Sequence, residues 1–318
     1  MAIECRTNRV PARTVVTVKA GKTRLLAIGE VMAEIRSAGD GNFAMGFAGD
    51  TYNTAVYAAR QLGVAGAVSY LTRIGADPLS VALMDRVGEE GIDVSHVAID
   101  PDRNIGIYSV STDTHGERSF HYWRADSAAR RLFAVEETAI SMPQADIIYL
   151  SGISLAILTP VARQRLVDAL ASRRAEGAKI AFDSNYRPKL WEDATTARST
   201  MQAIWEIADF ALPSIDDEMA LFGDASEEEV IDRFAKKTWQ GIAIKRGVRG
   251  PVSLHLAADE HPNFLPARTV VDTTAAGDSF NGGYLAACLE GAGEAERLLA
   301  GHQLAIRVVG ANGAIIPR

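Results

Sequence analysis

Two short apolar runs and the distance between them do most to limit the fold. Asp146-Ile147-Ile148-Tyr149-Leu150-Ser151-Gly152-Ile153 and Lys179-Ile180-Ala181-Phe182-Asp183 read as core strands, and a helix from about 160 to 176 separates them. A strand, a helix and a strand at this spacing form a parallel crossover unit. The alternation recurs along the chain. Arg24 to Glu30, Ala67 to Leu71, Asp209 to Ser214 and Gly241 to Lys245 read as further short strands, with helical spacing at Ala55, Val56, Ala59 and Leu62 and again through Leu83, Met84 and Val87. With 318 residues and 47% hydrophobic content, the expected class is one large α/β domain, a mostly parallel sheet flanked by helices, with a small appendage.

Ligands of such sheets bind beyond the carboxyl ends of the strands, so the polar residues that follow each strand are the first candidates for a site. The most informative of these stretches is Asp272-Thr273-Thr274-Ala275-Ala276-Gly277-Asp278-Ser279-Phe280-Asn281. Thr269-Val270-Val271 before it reads as a strand end, and Phe280, Tyr284, Leu285, Cys288 and Leu289 after it recur at helical spacing. Small residues at 275–277 leave backbone N–H groups open at a helix N-terminus, which is a site for phosphate or another anion. A carboxylate beside it, Asp278, is either a simple helix cap or the base of phosphoryl transfer to an alcohol.

One region breaks the alternation. Ile105 to Ser111 and Glu117 to Trp123 alternate polar and apolar around Thr114-His115-Gly116, a hairpin pattern that cannot easily extend a parallel sheet. Such a hairpin projects as a lid that keeps water from the site. Lid strands are expected over about 31–48 and 104–124.

Several function classes are excluded. A net charge of −7 argues against nucleic acid as partner. No run of 18 apolar residues is present, so no membrane span is expected. Cys5 and Cys288, far apart, suit a reducing cytoplasm and no structural disulfide. The six histidines lack ligand spacing, and no Gly-x-Ser-x-Gly or Gly-x-Gly-x-x-Gly follows a strand. Residues 1–23 carry Arg6, Arg9, Arg13, Lys19 and Lys22 against Glu4 without an apolar core, which is no secretory signal; they are an N-terminal extension, a disordered tail or an extra edge strand around Thr14 to Val18. Ala20-Gly21-Lys22-Thr23 lacks the earlier glycine of a P-loop.

Thr274-Ala275-Ala276-Gly277-Asp278-Ser279-Phe280 resembles the C-terminal signature of the ribokinase-type (PfkB) sugar kinases, whose commonest form has Gly where this chain has Ala275 or Ala276. The resemblance spans about residues 24 to 317 and implies a ribokinase-like three-layer sandwich with a β-hairpin lid. It also implies ATP and Mg²⁺, with Asp278 as the base and the Ala275, Ala276 and Gly277 amides on the transferred phosphate. Phe47-Ala48-Gly49-Asp50-Thr51-Tyr52-Asn53 matches the family's sugar-hydroxyl element, with Ala48 for its first Gly, and makes Gly49, Asp50 and Asn53 substrate candidates. Gly75-Ala76-Asp77 resembles the family's Gly-x-Asp element. Ser214, Lys245, Gly247, Gly250 and Asn312 are implied on the nucleotide side, the glycines through the Gly247-Val248-Arg249-Gly250 turn. Glu218 is the candidate for a water-mediated influence on magnesium, although Ile215 stands where the family has Asn.

Tyr122-Trp123-Arg124 with the small residues after it resembles the branch of the family that phosphorylates 2-keto-3-deoxygluconate, an acid sugar. An arginine fork matches a carboxylate bidentately, whereas a neutral sugar offers no comparable partner. By the same resemblance Asn185 and Arg187 line the junction of nucleotide and sugar, Arg124 and Arg187 anchor the carboxylate, Tyr108 and Tyr122 shape the pocket, and copies of the chain meet through their lids. Without the resemblance, Asn185 is a turn former and Arg187 a surface charge. A kinase for 2-keto-3-deoxygalactonate, fructose or ribose, and a non-catalytic sugar- or nucleotide-binding protein, are the alternatives.

Overall fold

The computed structural model describes residues 24–39, 41–65, 67–112, 118–134 and 142–318. The 1–23 extension with Cys5 and the hairpin turn Thr114-His115-Gly116 lie outside the described residues. Seven strands form the main sheet: β1 (Leu25–Ile28), β4 (Val68–Gly75), β5 (Val97–Asp100), β8 (Ile147–Ser151), β9 (Lys179–Asp183), β10 (Phe210–Ala211) and β11 (Gly241–Ile242). Their order is β11-β10-β9-β8-β1-β4-β5 and every neighbouring pair is parallel. The remaining four, β2 (Met32–Gly39), β3 (Asn42–Ala48), β6 (Gly106–Thr112) and β7 (Arg118–Trp123), form a second sheet ordered β3-β2-β6-β7. The helices are α1 (Asp50–Leu62), α2 (Pro78–Glu89), α3 (Gly152–Ala156), α4 (Pro160–Ala175), α5 (Ala194–Ile207), α6 (Ile215–Phe222), α7 (Glu227–Ala235), α8 (Ala276–Leu289) and α9 (Glu294–Val309). No helix among the described residues is long and apolar enough to cross a membrane.

A parallel sheet buried on both faces explains why the central strands read as unbroken apolar runs. Leu26 and Ile28 of β1 with Ile148 and Leu150 of β8 join one core cluster, while Leu25, Ala27, Ile147 and Tyr149 join the cluster on the other face. Each of the leucines and isoleucines contributes about 1.5–3 kcal/mol by leaving water. Asp77 caps α2, accepting from the N–H groups of Leu79 and Ser80 at 3.0 and 3.1 Å, and Ser80 also donates to its carboxylate at 2.6 Å. That is a structural role for the Gly75-Ala76-Asp77 element.

The order of strand addition reverses at β1. β4 lies on one side of it and β8 on the other, which opens a crevice beyond their carboxyl ends. The second sheet borders that crevice. Its hairpins join through parallel pairing of β2 with β6, so Gly46, Glu34, Tyr108 and Tyr122 form one row on one face and Met45, Ile35, Ser109 and His121 form the next row on the other.

One expected strand end is absent. Thr269-Val270-Val271 is an extended segment outside either sheet, in which Val271 and Asp272 both donate to the Val309 carbonyl at 2.8 and 3.1 Å. Its β-branched residues are exposed rather than packed. Val252 forms an isolated antiparallel bridge with Ile244, and the Ser253 N–H goes to His261 Nε2 at 3.0 Å.

Candidate active site

Helix α8 fits between α1 and α9 because Gly282 and Gly283 carry no side chain. A β-carbon on Gly282 would stand 2.9 Å from the Thr54 carbonyl oxygen, and one on Gly283 2.8 Å from that of Ala300. This close packing brings the N-termini of α1 and α8 together. The Thr54 hydroxyl lies 3.1 Å from the carbonyl oxygens of both Asp50 and Asp278. Asn53 donates to the Asp278 carboxylate at 2.8 Å. Burial first, and then the negative charge of Asp50, push the Asp278 carboxyl up to about 7. The Asp50 carboxyl is also raised, by burial, although Ser151 and Asn185 donate to it, the latter at 2.8 Å.

Ahead of α8, Ala275 adopts the left-handed conformation at φ 61° and ψ 16°. The Ala276 N–H is used locally, bonding Thr273 O at 3.2 Å. Gly277 and Asp278 have no acceptor for their N–H groups among the described residues, so two of the first-turn donors face the crevice. Lys245 beyond β11 completes an anion site. Its ammonium is 2.9 Å from Asp183, 3.3 Å from the Asn281 side-chain oxygen, and 3.7 Å from where a Gly277 β-carbon would sit.

At the end bordered by the second sheet, Arg124 is buried against Glu30, and its guanidinium lies 5.9 Å from the Tyr122 ring centre. Tyr108 donates to Glu34 at 2.7 Å and lies 5.8 Å from Tyr122, ring to ring. Arg187, half exposed, donates to Asp217 at 3.1 Å. Burial raises the Asp217 carboxyl, and Arg187 opposes that shift.

One cavity of about 1170 Å³ joins the two ends. Gly49, Asp50, Asn53, Tyr108, Tyr122, Arg124, Asn185, Arg187, Ser214, Lys245, Ala275, Ala276, Gly277 and Asp278 all line it. Gly247, Gly250, Asn312 and Glu218 do not. Gly247 and Gly250 form a turn with φ 59° and 76°, a conformation that favours glycine. Asn312 precedes Gly313, whose N–H bonds Asp272 at 2.6 Å. Glu218 is fully buried and ion-paired to Arg233 at 2.9 Å, and burial pushes its carboxyl up to about 7.

Five lining acids escaped the sequence reading as site residues: Glu30, Asp183, Asp216, Asp217 and Asp272. Glu30 and Asp183 stand at strand carboxyl ends, the same signal that singled out Asn185. Nothing in the sequence pairs Asp183 with Lys245 and Asn281, residues from two other elements that meet only in the folded chain.

The pfkB family carbohydrate kinase model matches residues 22–318. This chain belongs to that family. It is 39% identical over 302 residues to the 2-dehydro-3-deoxygluconokinase of Escherichia coli K12, covering 93% of this chain and 97% of that one. It is 40% identical to the 2-dehydro-3-deoxygluconokinase of Dickeya dadantii, covering 91% and 96%. Among solved structures, the fructokinase of Vibrio cholerae with fructose, ADP and calcium ion bound superposes with a TM-score of 0.77 at 22% identity, over 92% of this chain and 94% of that one. The α/β architecture with its parallel central sheet is therefore that of the sugar kinases.

Proposed function

We propose that this protein is a cytoplasmic kinase that transfers the terminal phosphoryl group of ATP to the 6-hydroxyl of 2-keto-3-deoxy-D-gluconate, giving 2-keto-3-deoxy-6-phosphogluconate. The observation that carries this reading is one cavity that holds Asp278 and open helix amides at one end and two arginines at the other. Identity near 40% over almost the whole chain to two 2-dehydro-3-deoxygluconokinases supports the acid-sugar substrate.

Asp278 accepts the proton of the attacking hydroxyl. Its desolvated site makes it more basic than an ordinary carboxylate, and Asn53 fixes which oxygen is free. The Gly277 and Asp278 amides with Lys245 stabilise charge on the phosphoryl oxygens, the largest contribution a protein makes to this chemistry. Asp183, Asp216 and Asp217 line the cavity beside Lys245, and no three metal-ligating side chains converge among the described residues. That donor set fits Mg²⁺ held through its waters and the nucleotide phosphates. When bound there, Mg²⁺ supplies charge neutralisation and aligns the phosphates. Arg124 and Arg187 each hold a carboxylate of the chain and keep further donors for that of the substrate. The second sheet, as a lid, excludes water from the transfer.

The test is ADP release with Mg-ATP across 2-keto-3-deoxygluconate, its galactonate epimer, fructose, ribose and water. Turnover confined to the acid sugars supports the reading, and turnover with fructose or ribose alone removes it. Arg124→Ala is expected to raise KM for the acid sugar roughly 10- to 100-fold, the loss of one charged hydrogen-bonding partner.

A further inference from the structure

Asn281 has no role in the mechanism above, yet its side chain is built into the anion site. It lies on α8 one turn after Asp278 and is wholly buried. Its Nδ2 donates to the Asp183 carboxylate at 2.6 Å and to the Tyr149 hydroxyl at 3.1 Å, and its Oδ1 accepts from the Lys245 ammonium at 3.3 Å. The reverse placement of the amide would turn NH₂ toward the ammonium and oxygen toward the carboxylate, so these neighbours fix its orientation. Asp183 closes the ring by pairing with Lys245 at 2.9 Å. An ammonium carries three hydrogens, of which Asp183 and Asn281 take two. The ammonium also lies 3.7 Å from where a Gly277 β-carbon would stand, beside an N–H with no acceptor among the described residues.

We propose that Asn281 is a positioning residue that ties Lys245 to helix α8, so that the ammonium is held beside the Gly277 and Asp278 amides where the transferred phosphoryl group gathers charge. This inference rests on the phosphoryl-transfer part of the reading above and not on which sugar is the substrate. The Lys245 backbone is fixed separately, its N–H donating to Pro213 O at 2.8 Å and its carbonyl accepting from Ile215 at 3.0 Å. What remains to be placed is a point charge on a flexible four-carbon stem. Asp183 attracts that charge, and the Asn281 amide gives it direction by holding carboxylate and ammonium at once. A donor stabilises a transition state most when it is in place before charge develops and need not reorganise. Residues three apart lie on one side of a helix, so α8 sets the position of the Asp278 base and of the ammonium together.

The experiment measures kcat and KM from ADP release by the full chain, Lys245→Met, Asn281→Leu and the double variant, with Mg-ATP and whichever sugar the parent turns over. Lys245→Met is expected to lower kcat about 10²–10³-fold, the loss of one preorganised donor. Asn281→Leu is expected to lower kcat about 10- to 100-fold, the effect of a misplaced group, with KM for the sugar within about threefold of the parent's. In the Lys245→Met background the same replacement is expected to change kcat less than about threefold, because the group it positions is gone. Losses that multiply in the double variant overturn the proposal. So does a folded Asn281→Leu with parental kcat, or one whose KM rises as much as its kcat falls, the pattern of a general structural role. If Asn281→Leu does not fold, the milder Asn281→Ser takes its place in the cycle, and Lys245→Met with near-parental kcat overturns the proposal whatever the Asn281 variants do. A parent chain that turns over no sugar removes the kinase reading and this proposal with it.

Discussion

Asp278 illustrates how a residue suited to catalysis works against stability. Its carboxyl stands at about 7 in the folded chain against an ordinary 3.8, because it is buried and faces Asp50. Between those values the native state holds a proton that the unfolded chain has released, so this residue's contribution to stability falls as pH rises through that window and stays low above it. Asp278→Asn is therefore expected to raise the melting temperature by an amount that grows from about pH 4 to about pH 8, while turnover falls about 10²–10⁴-fold. In the parent enzyme kcat/KM should climb with pH to a plateau above about 7, where the base is ionised. Thermal unfolding across pH beside a pH–rate profile checks both. Ala275 carries a different cost, since at φ 61° a β-carbon is strained by roughly 1–2 kcal/mol. Ala275→Gly should recover roughly 1 kcal/mol in urea unfolding with activity retained, and a loss of stability would show that the loop depends on the methyl group.

At the level of elements, the site depends on helix ends held in place by groups from other elements. Helix α5 ends against Lys237, whose ammonium donates to the carbonyls of Glu206 and Ala208 at 2.8 and 3.0 Å and also to that of Trp205. It lies 4.5 Å from the Trp239 ring centre, and burial lowers its pKa. Replacing it leaves the last carbonyls of α5 unpaired at a partly buried end. Lys237→Met is expected to cost about 1–3 kcal/mol in denaturant unfolding with KM for both substrates unchanged, since α5 packs on the sheet far from the reacting groups. At the α8 start the Gly277 and Asp278 N–H groups have no acceptor among the described residues, while Asp278 accepts from Asn53 of α1 and Asp50 from Ser151 and Asn185. Gly282 permits the tight contact that holds α8 against α1.

For the whole molecule, the alternation in the second sheet turns one face, with Glu34, Tyr108 and Tyr122, toward the cavity and leaves Phe43, Met45 and Trp123 exposed on the other face, at 72%, 51% and 62%. We propose that copies of the chain meet there; light scattering should give a multiple of the chain mass, reduced by Met45→Asp, and a monomeric mass removes the idea. The parallel α/β class was legible from the lengths and spacing of apolar runs, because burial on both faces leaves a strand few choices of side chain. The 272–281 stretch could be read as an anion-binding helix start for a similarly local reason: small residues and an acid at a helix N-terminus act within one turn. Thr269-Val270-Val271 misled because propensity without a neighbouring strand makes no ladder. What the sequence by itself determined was each element and the polar residues at its ends. Only the tertiary structure decided that Glu30 sits against Arg124, that Asp183 holds Lys245, and that Asp50 raises the basicity of Asp278. Those pairings join residues far apart in the chain, and their energies depend on distance and burial, which exist only once the sheet has brought its strand ends together.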